Sequence, residues 1–119
     1  MEQVKESPET HQPLADWKTQ LDQARQELNG WREKLGARTT GLRKTDQLAE
    51  VEHFQNQFIC QKEVADKLYH DLKRASKGAS SEDGTPLGKD ALGERMETFR
   101  SLFEALRVDF DEFMLKLSA

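Results

Sequence analysis

The amino-acid sequence predicts an all-α protein, an antiparallel up-down-up three-helix bundle with coiled-coil-like packing. Three long segments repeat apolar residues at alternating steps of three and four, the spacing of one face of a helix. Only three prolines occur, Pro8 and Pro13 near the start and Pro86 after the one long polar linker. With 34% charged and 35% hydrophobic residues, the 119-residue chain suits one domain of helices with large solvated faces.

The first helix is predicted over residues 13–36, after a polar segment, residues 1–12, that we expect to form a disordered tail. Pro13 suits the first helical position, where its missing N–H costs nothing. The predicted apolar stripe consists of Leu14, Trp17, Leu21, Ala24, Leu28, Trp31 and Leu35. Gly36 is the predicted left-handed residue past the helix end. The stripe does not continue through residues 37–44, which predicts a turn centred near Gly41.

The second helix is predicted over residues 45–76, with Thr45 as its cap. Its stripe consists of Val51, Phe54, Phe58, Ala65, Leu68, Leu72 and Ala75. The apolar face is widened by Leu48, Ile59, Val64 and Tyr69, as expected for a helix between two neighbours. Gln61 occupies a stripe position where Leu is expected. We favour a polar residue that fixes the register of packing, and a ligand group inside the bundle is the alternative.

The third helix is predicted over residues 86–117, after a polar loop from Ser76 to Gly84. Its stripe consists of Leu92, Met96, Phe99, Phe103, Leu106, Phe110, Phe113 and Leu117. Four further apolar residues lie off this stripe and form a candidate partner surface: Leu102, Ala105, Val108 and Leu115. Ordinary surface residues are the alternative, because single exposed apolar side chains are common.

The positions of the turns also predict which core residues face each other. In an antiparallel pair, facing residues have position numbers with a nearly constant sum, here about 82 for the first two helices and about 164 for the last two. Trp17 is then expected to face Ala65, and Phe54 to face Phe110.

No motif for catalysis, cofactor binding or metal binding emerges. Glu50 and His53 form a single Glu-x-x-His pair, whereas carboxylate-bridged metal bundles use two such pairs and two more glutamates. His53 and His70 are expected to point outward. Cys60 has no basic cluster nearby in sequence, so we expect an inert thiol. We therefore expect no catalytic, cofactor or metal residues.

Charge and composition exclude other classes of function. The net charge is −4 with acids and bases interspersed, so no basic stripe is available for nucleic acid. No run of about 18 apolar residues is present, which argues against membrane insertion. A single cysteine and the absence of a secretory signal pattern predict a cytoplasmic protein.

Residues 51–59 (Val-Glu-His-Phe-Gln-Asn-Gln-Phe-Ile), with 61–64 and 70–73, resemble a segment of small, uncharacterised all-helical bacterial proteins. That resemblance implies a helical fold and no particular activity. Trp17 early in the first helix is also similar to spectrin-type three-helix repeats, although the rest of the spectrin pattern is absent.

These observations predict a non-enzymatic interaction or structural module that binds a protein partner or itself, as a homodimer. The alternative is a metal-binding or enzymatic bundle whose site is completed by a second chain.

Overall fold

In the computed structural model of the chain, the described residues form three α-helices. The structure describes residues 2–40, 45–79 and 84–118, with side chains for 13–40, 47–79 and 84–117. The helices are α1 (Glu2–Thr39), α2 (Thr45–Ser76) and α3 (Lys89–Ser118), and the described residues contain no strand. The molecule is an elongated rod of 63 × 30 × 19 Å. The predicted all-α three-helix bundle is confirmed.

Contacts between the helices establish the up-down-up arrangement. Arg100 and Arg107 of α3 reach Gln20 and Glu27 of α1, and both pairs are separated by 80 positions, so α1 and α3 run parallel. Phe54 of α2 lies 5.6 Å from Phe110 of α3 between ring centroids, and Asp71 pairs with Arg95. The position numbers of these pairs add to 164 and 166, so α2 and α3 are antiparallel.

The core runs along the three predicted stripes and is richest in aromatic rings near its middle. Trp31 of α1 stacks on Phe103 at 4.9 Å between ring centroids and lies 5.8 Å from Phe58 and 5.9 Å from Phe110. Phe58 is fully buried. Of all the stripe residues, only Trp17, Ala75 and Leu117 are partly exposed, while packing against the core. The period of three and four therefore identified the buried face of each helix.

The boundaries of α1 differ from the prediction at both ends. The helix begins at Glu2, so residues 2–12 are helical where we expected a disordered tail before a helix starting at Pro13. This segment contains three Glu and two Gln, which have good helix propensity even without an apolar stripe. At the other end, α1 continues through Gly36 to Thr39. Gly36 is thus not a left-handed terminal residue, and its carbonyl accepts a hydrogen bond from Thr39 Oγ1 at 3.0 Å. The predicted turn centre at Gly41 lies outside the described residues.

The link between α2 and α3 begins and ends on glycine. Gly78 adopts a left-handed φ of 72°, its N–H donates to the Ala75 carbonyl, and the Ala79 N–H donates to the Arg74 carbonyl. These two bonds form a Schellman motif, which explains why α2 ends at Ser76, as predicted. The third helix begins at Lys89, three residues later than expected, with the Leu92 N–H donating to the Gly88 carbonyl.

The register predicted for α2 and α3 agrees with the structure, but that for α1 and α2 is wrong. Trp31 packs beside Phe58, and Arg25 pairs with Asp66, so the position numbers add to 89 and 91, where about 82 was expected. The sums exceed the expected value by 7 to 9, whereas the lean of side chains towards the N-terminus of each helix accounts for only about 2, so α1 and α2 are offset along their axes relative to the predicted turn. Trp17 instead lies against Gly93 of α3, where an added Cβ would be 3.4 Å from its ring.

The widened apolar face of α2 is not buried as we expected. Leu48, Ile59 and Val64 are 42–50% exposed, and only Tyr69 packs partly against the core, with the Arg25 guanidinium 4.3 Å from its ring centroid. The neighbouring helices cover the centre of the apolar face of α2, and the edges of that face stay exposed to solvent. These edges are where an additional partner can pack.

Candidate partner-binding surface

The four predicted partner-surface residues are all exposed, but they do not lie on one face. Leu102 is 54% exposed, Val108 47% and Leu115 71%, and Ala105 is exposed as well. At about 100° per residue, Leu102 and Val108 lie about 120° apart around α3. Leu102 borders the groove between α2 and α3, whereas Val108 and Leu115 lie on the side of α3 that faces away from the core. The structure therefore divides the predicted surface in two.

The groove between α2 and α3 has a volume of about 290 Å³ and combines apolar walls with a polar rim. We call it the α2–α3 groove, and its lining residues are Gln61, Val64, Leu68, Glu94, Arg95, Thr98, Phe99 and Leu102. Leu68 and Phe99 belong to the buried core, while Val64 and Leu102 are about half exposed on either side. The groove thus continues the hydrophobic core outward to the surface.

Gln61 lies at the base of this groove, at the stripe position that the sequence indicated. Its side chain is only 8% exposed, and its Oε1 atom is buried with no hydrogen-bond partner among the residues that the structure describes. A buried amide oxygen without a partner costs roughly 1–3 kcal/mol. The burial of Gln61 favours a role in fixing how the helices pack. Its unpartnered Oε1 atom is also an acceptor for a hydrogen-bond donor from a partner molecule.

A buried ion pair closes the groove at one end, and the sequence analysis did not identify it. Asp71 is fully buried, with Lys67 Nζ 3.2 Å from its Oδ1 and Arg95 Nη1 3.0 Å from its Oδ2. The Arg95 contact has the distance of an ion pair, but its angles are not those of a hydrogen bond. The sequence did contain a signal for this ion pair, because Asp71 and Arg95 have opposite charges and nearly face each other in the predicted register of α2 and α3.

The opposite side of the bundle, between α1 and α3, is bridged by polar side chains. Arg107 donates to both carboxylate oxygens of Glu27, at 2.7 and 3.1 Å, and its guanidinium lies 5.5 Å from the Trp31 ring centroid. The hydrogen bond with Glu27 raises the pKa of Arg107, despite partial burial. Arg100 spans the same groove to Gln20 at 2.8 Å. These bridges pair polar side chains of α1 with polar side chains of α3, so fewer polar groups on this side are available to bind a partner.

The surface between α1 and α2 is held by a second charged cluster. Arg25 pairs with Asp22 and with Asp66 at 3.0 Å, and Asp66 also accepts from Lys62 at 3.0 Å. Burial works against the charged form of Asp66, but the hydrogen bonds from Lys62 and Arg25 outweigh it and lower the pKa of Asp66. The Asp66 carboxylate is thus paired with two cations.

The residues that could have supplied chemistry are dispersed over the surface. His53, His70 and Cys60 are exposed, as is Glu50. No group of three or more His, Cys, Asp and Glu side chains is arranged to hold a metal ion in the part of the chain whose side chains are described. Within the same part, no helix is long and apolar enough to cross a membrane.

Comparison with known proteins identifies no relative. Neither a protein-family model, nor a curated protein, nor a solved structure matches the chain. The resemblance to small bacterial helical proteins stays a prediction, and function must be argued from the surface itself.

Proposed function

We propose that this protein is a non-enzymatic interaction module of the cytoplasm, which binds a protein partner in the α2–α3 groove. The observation that carries the proposal is the placement of Val64 and Leu102. These two half-exposed apolar side chains stand on either side of a groove that leads to the core and to the unpartnered Gln61 oxygen.

The physical properties of the groove match those of protein interfaces. An interface has an apolar centre with a polar rim, and its central side chains become buried only on binding. Val64 and Leu102 supply the centre, and Glu94, Arg95 and Thr98 supply the rim. A partner that donates a hydrogen bond to Gln61 would also remove the cost of its buried oxygen.

The groove suits a helix better than a small molecule. It is a trough along two antiparallel helices, and helices of a partner could pack along it with apolar residues at steps of three and four. Burying the remaining exposed surface of Val64 and Leu102 would contribute at most a few kcal/mol, at about 25 cal/mol per Å². We therefore expect reversible binding of moderate affinity.

Site-specific photo-cross-linking tests this proposal. A photo-reactive amino acid is placed at Leu102 in the full chain and irradiated in the native cell, with Leu115 as the matched exposed control. We expect the photo-reactive residue at position 102 to give a discrete protein adduct that a Val64→Lys change suppresses. The residue at position 115 is expected to give no adduct that a Val64→Lys change affects. Absence of an adduct at position 102, or an adduct unaffected by Val64→Lys, would overturn the proposal.

A further inference from the structure

We infer that the occupant of the α2–α3 groove is a second copy of this chain, related by a two-fold axis level with Leu102 and Val64. This inference rests on the proposed function, because it takes the groove as the partner surface. The axis lies in the interface plane, perpendicular to the helices. Each α3 then packs antiparallel to the partner's α3, and each α2 to the partner's α2.

The position of the axis follows from the register of α2 and α3. Val64 and Leu102 have position numbers that add to 166, as do those of the buried pair Asp71 and Arg95. The two exposed apolar residues therefore lie at one level of the bundle, on either side of the groove. A two-fold axis at that level brings four apolar side chains together at the centre of the interface, the usual place for the dominant contacts.

Charges along α3 are complementary to themselves about the same level. Arg95 lies seven positions before Leu102, and Asp109 lies seven positions after it. An antiparallel partner thus places its Asp109 opposite Arg95, and the two-fold axis creates this pair twice. Asp109 is exposed. Arg95 has five N–H donors, its Nη1 lies 3.0 Å from Asp71 Oδ2, and its side chain is 30% exposed.

Small residues between these charges allow the two α3 helices to approach. Thr98 and Ala105, which flank Leu102, are exposed and short. In α2, the same axis places Gln61 opposite Lys67 of the other copy, both three positions from Val64. The Lys67 ammonium has three donors and is partly exposed beside Asp71, so it is suited to reach the unpartnered Gln61 oxygen.

The size of the surface indicates a weak, concentration-dependent dimer. Standard protein interfaces bury roughly 800 Å² per partner around an apolar centre. The apolar centre, however, is limited to Val64 and Leu102 with the edges of the groove. Dimerisation is thus expected in the micromolar range, and sedimentation over a range of concentrations is the appropriate measurement.

The decisive experiment uses the fact that a residue on a two-fold axis faces its own copy. Leu102→Lys and Leu102→Glu are each expected to abolish the dimer, because each places two like charges together. An equal mixture of the two variants is expected to restore it as a heterodimer, since Lys then faces Glu. The matched control is Val108→Lys with Val108→Glu, on the outer face of α3, which should leave the mass unchanged in every combination.

A charged residue at position 102 is not expected to unfold the chain, because Leu102 is already half exposed. Circular dichroism verifies that the variants stay helical. Should Leu102→Lys unfold, Asp109→Arg replaces it, and is expected to weaken the dimer at least tenfold by facing Arg95. A monomeric parent, a dimer that resists both charges, or a mixture that stays monomeric would overturn the inference. In those cases, a cross-linked adduct whose mass is not that of two copies of this chain would support the proposed function without self-pairing. Absence of any adduct would contradict both the proposed function and the self-pairing.

Discussion

Replacement of Arg95 by leucine should destabilise the bundle more than its exposed position suggests. The substitution leaves Asp71, which is fully buried, with Lys67 as its only remaining cation, at 3.2 Å. Breaking a buried ion pair by removing one partner costs about 3–5 kcal/mol. Because Lys67 remains, we expect a cost at or just below the lower end of this range, about 2–3 kcal/mol, and a decrease in Tm of about 10 °C.

Removal of the other partner should cost less. In Asp71→Leu the buried charge disappears, and Arg95, whose side chain is 30% exposed, can turn towards water. The double variant Asp71→Leu/Arg95→Leu should lie within about 1 kcal/mol of the parent, because replacing a buried ion pair by apolar residues is often neutral. Urea unfolding of the four proteins at low concentration, where dimerisation does not contribute, measures this cycle. An Arg95→Leu cost no larger than that of Asp71→Leu would refute the reasoning.

Three further predictions concern the core, the glycines and pH. Ala65→Leu should cost about 1–3 kcal/mol by overpacking a fully buried position, whereas Ala79→Leu in the loop should be nearly neutral in the same urea melts. Gly30→Ala should stabilise α1 by up to about 1 kcal/mol, since nothing lies within 4 Å of an added Cβ, but Gly78→Ala should lower the Tm because its φ is 72°. The pKa of Asp66 is lowered in the folded state, so its contribution to the stability of the fold is complete above its unfolded pKa and is lost as pH falls through the folded value. The Asp66→Asn variant should therefore lose less stability than the parent between about pH 5 and pH 2, as measured by thermal melts.

The sequence predicted most of the buried face because the apolar repeat directly reflects helical geometry. Leu28 and Phe58 follow the period of three and four, and both are fully buried. The same reasoning identified the end of α2, since apolar periodicity ends where glycine and serine become frequent. It did not predict that α1 would continue through Gly36, because a glycine can be helical when its neighbours favour the helix.

The register between α1 and α2 required information that the stripes do not contain. Facing positions were placed by assuming a tight turn centred near Gly41, whereas the contacts of Trp31 and Arg25 show that the two helices are offset along their axes from that symmetric arrangement. The burial of a charged residue at the edge of a stripe, such as Asp71, was not predicted for a related reason. Periodicity ranks residues by hydrophobicity and cannot show that two facing opposite charges will be buried together.

The candidate surface was only partly predictable for the same reason. Leu102 and Val108 were grouped because both are apolar and lie off the stripe of α3. Only the packing of α2 beside α3 shows that Leu102 shares a groove with Val64 and Gln61, while Val108 faces away. The sequence therefore predicted the exposed apolar residues of α3 correctly but not Val64 of α2, and the packing of the two helices decides which residues form one surface.

Distances between spin labels in the two copies test the self-paired groove most directly. Cysteines are introduced singly at Glu97, Ser101, Val108 and Lys116, exposed positions outside the proposed contacts, in a Cys60→Ser background and labelled at dimer-forming concentration. About a two-fold axis at Leu102, the separation along the helices grows by about 3 Å for each position, from about 3 Å at Ser101 to about 18 Å at Val108 and about 42 Å at Lys116. A profile with its shortest distance at Ser101 is the predicted result, and a minimum at another position, or no measurable distance between copies, would contradict it.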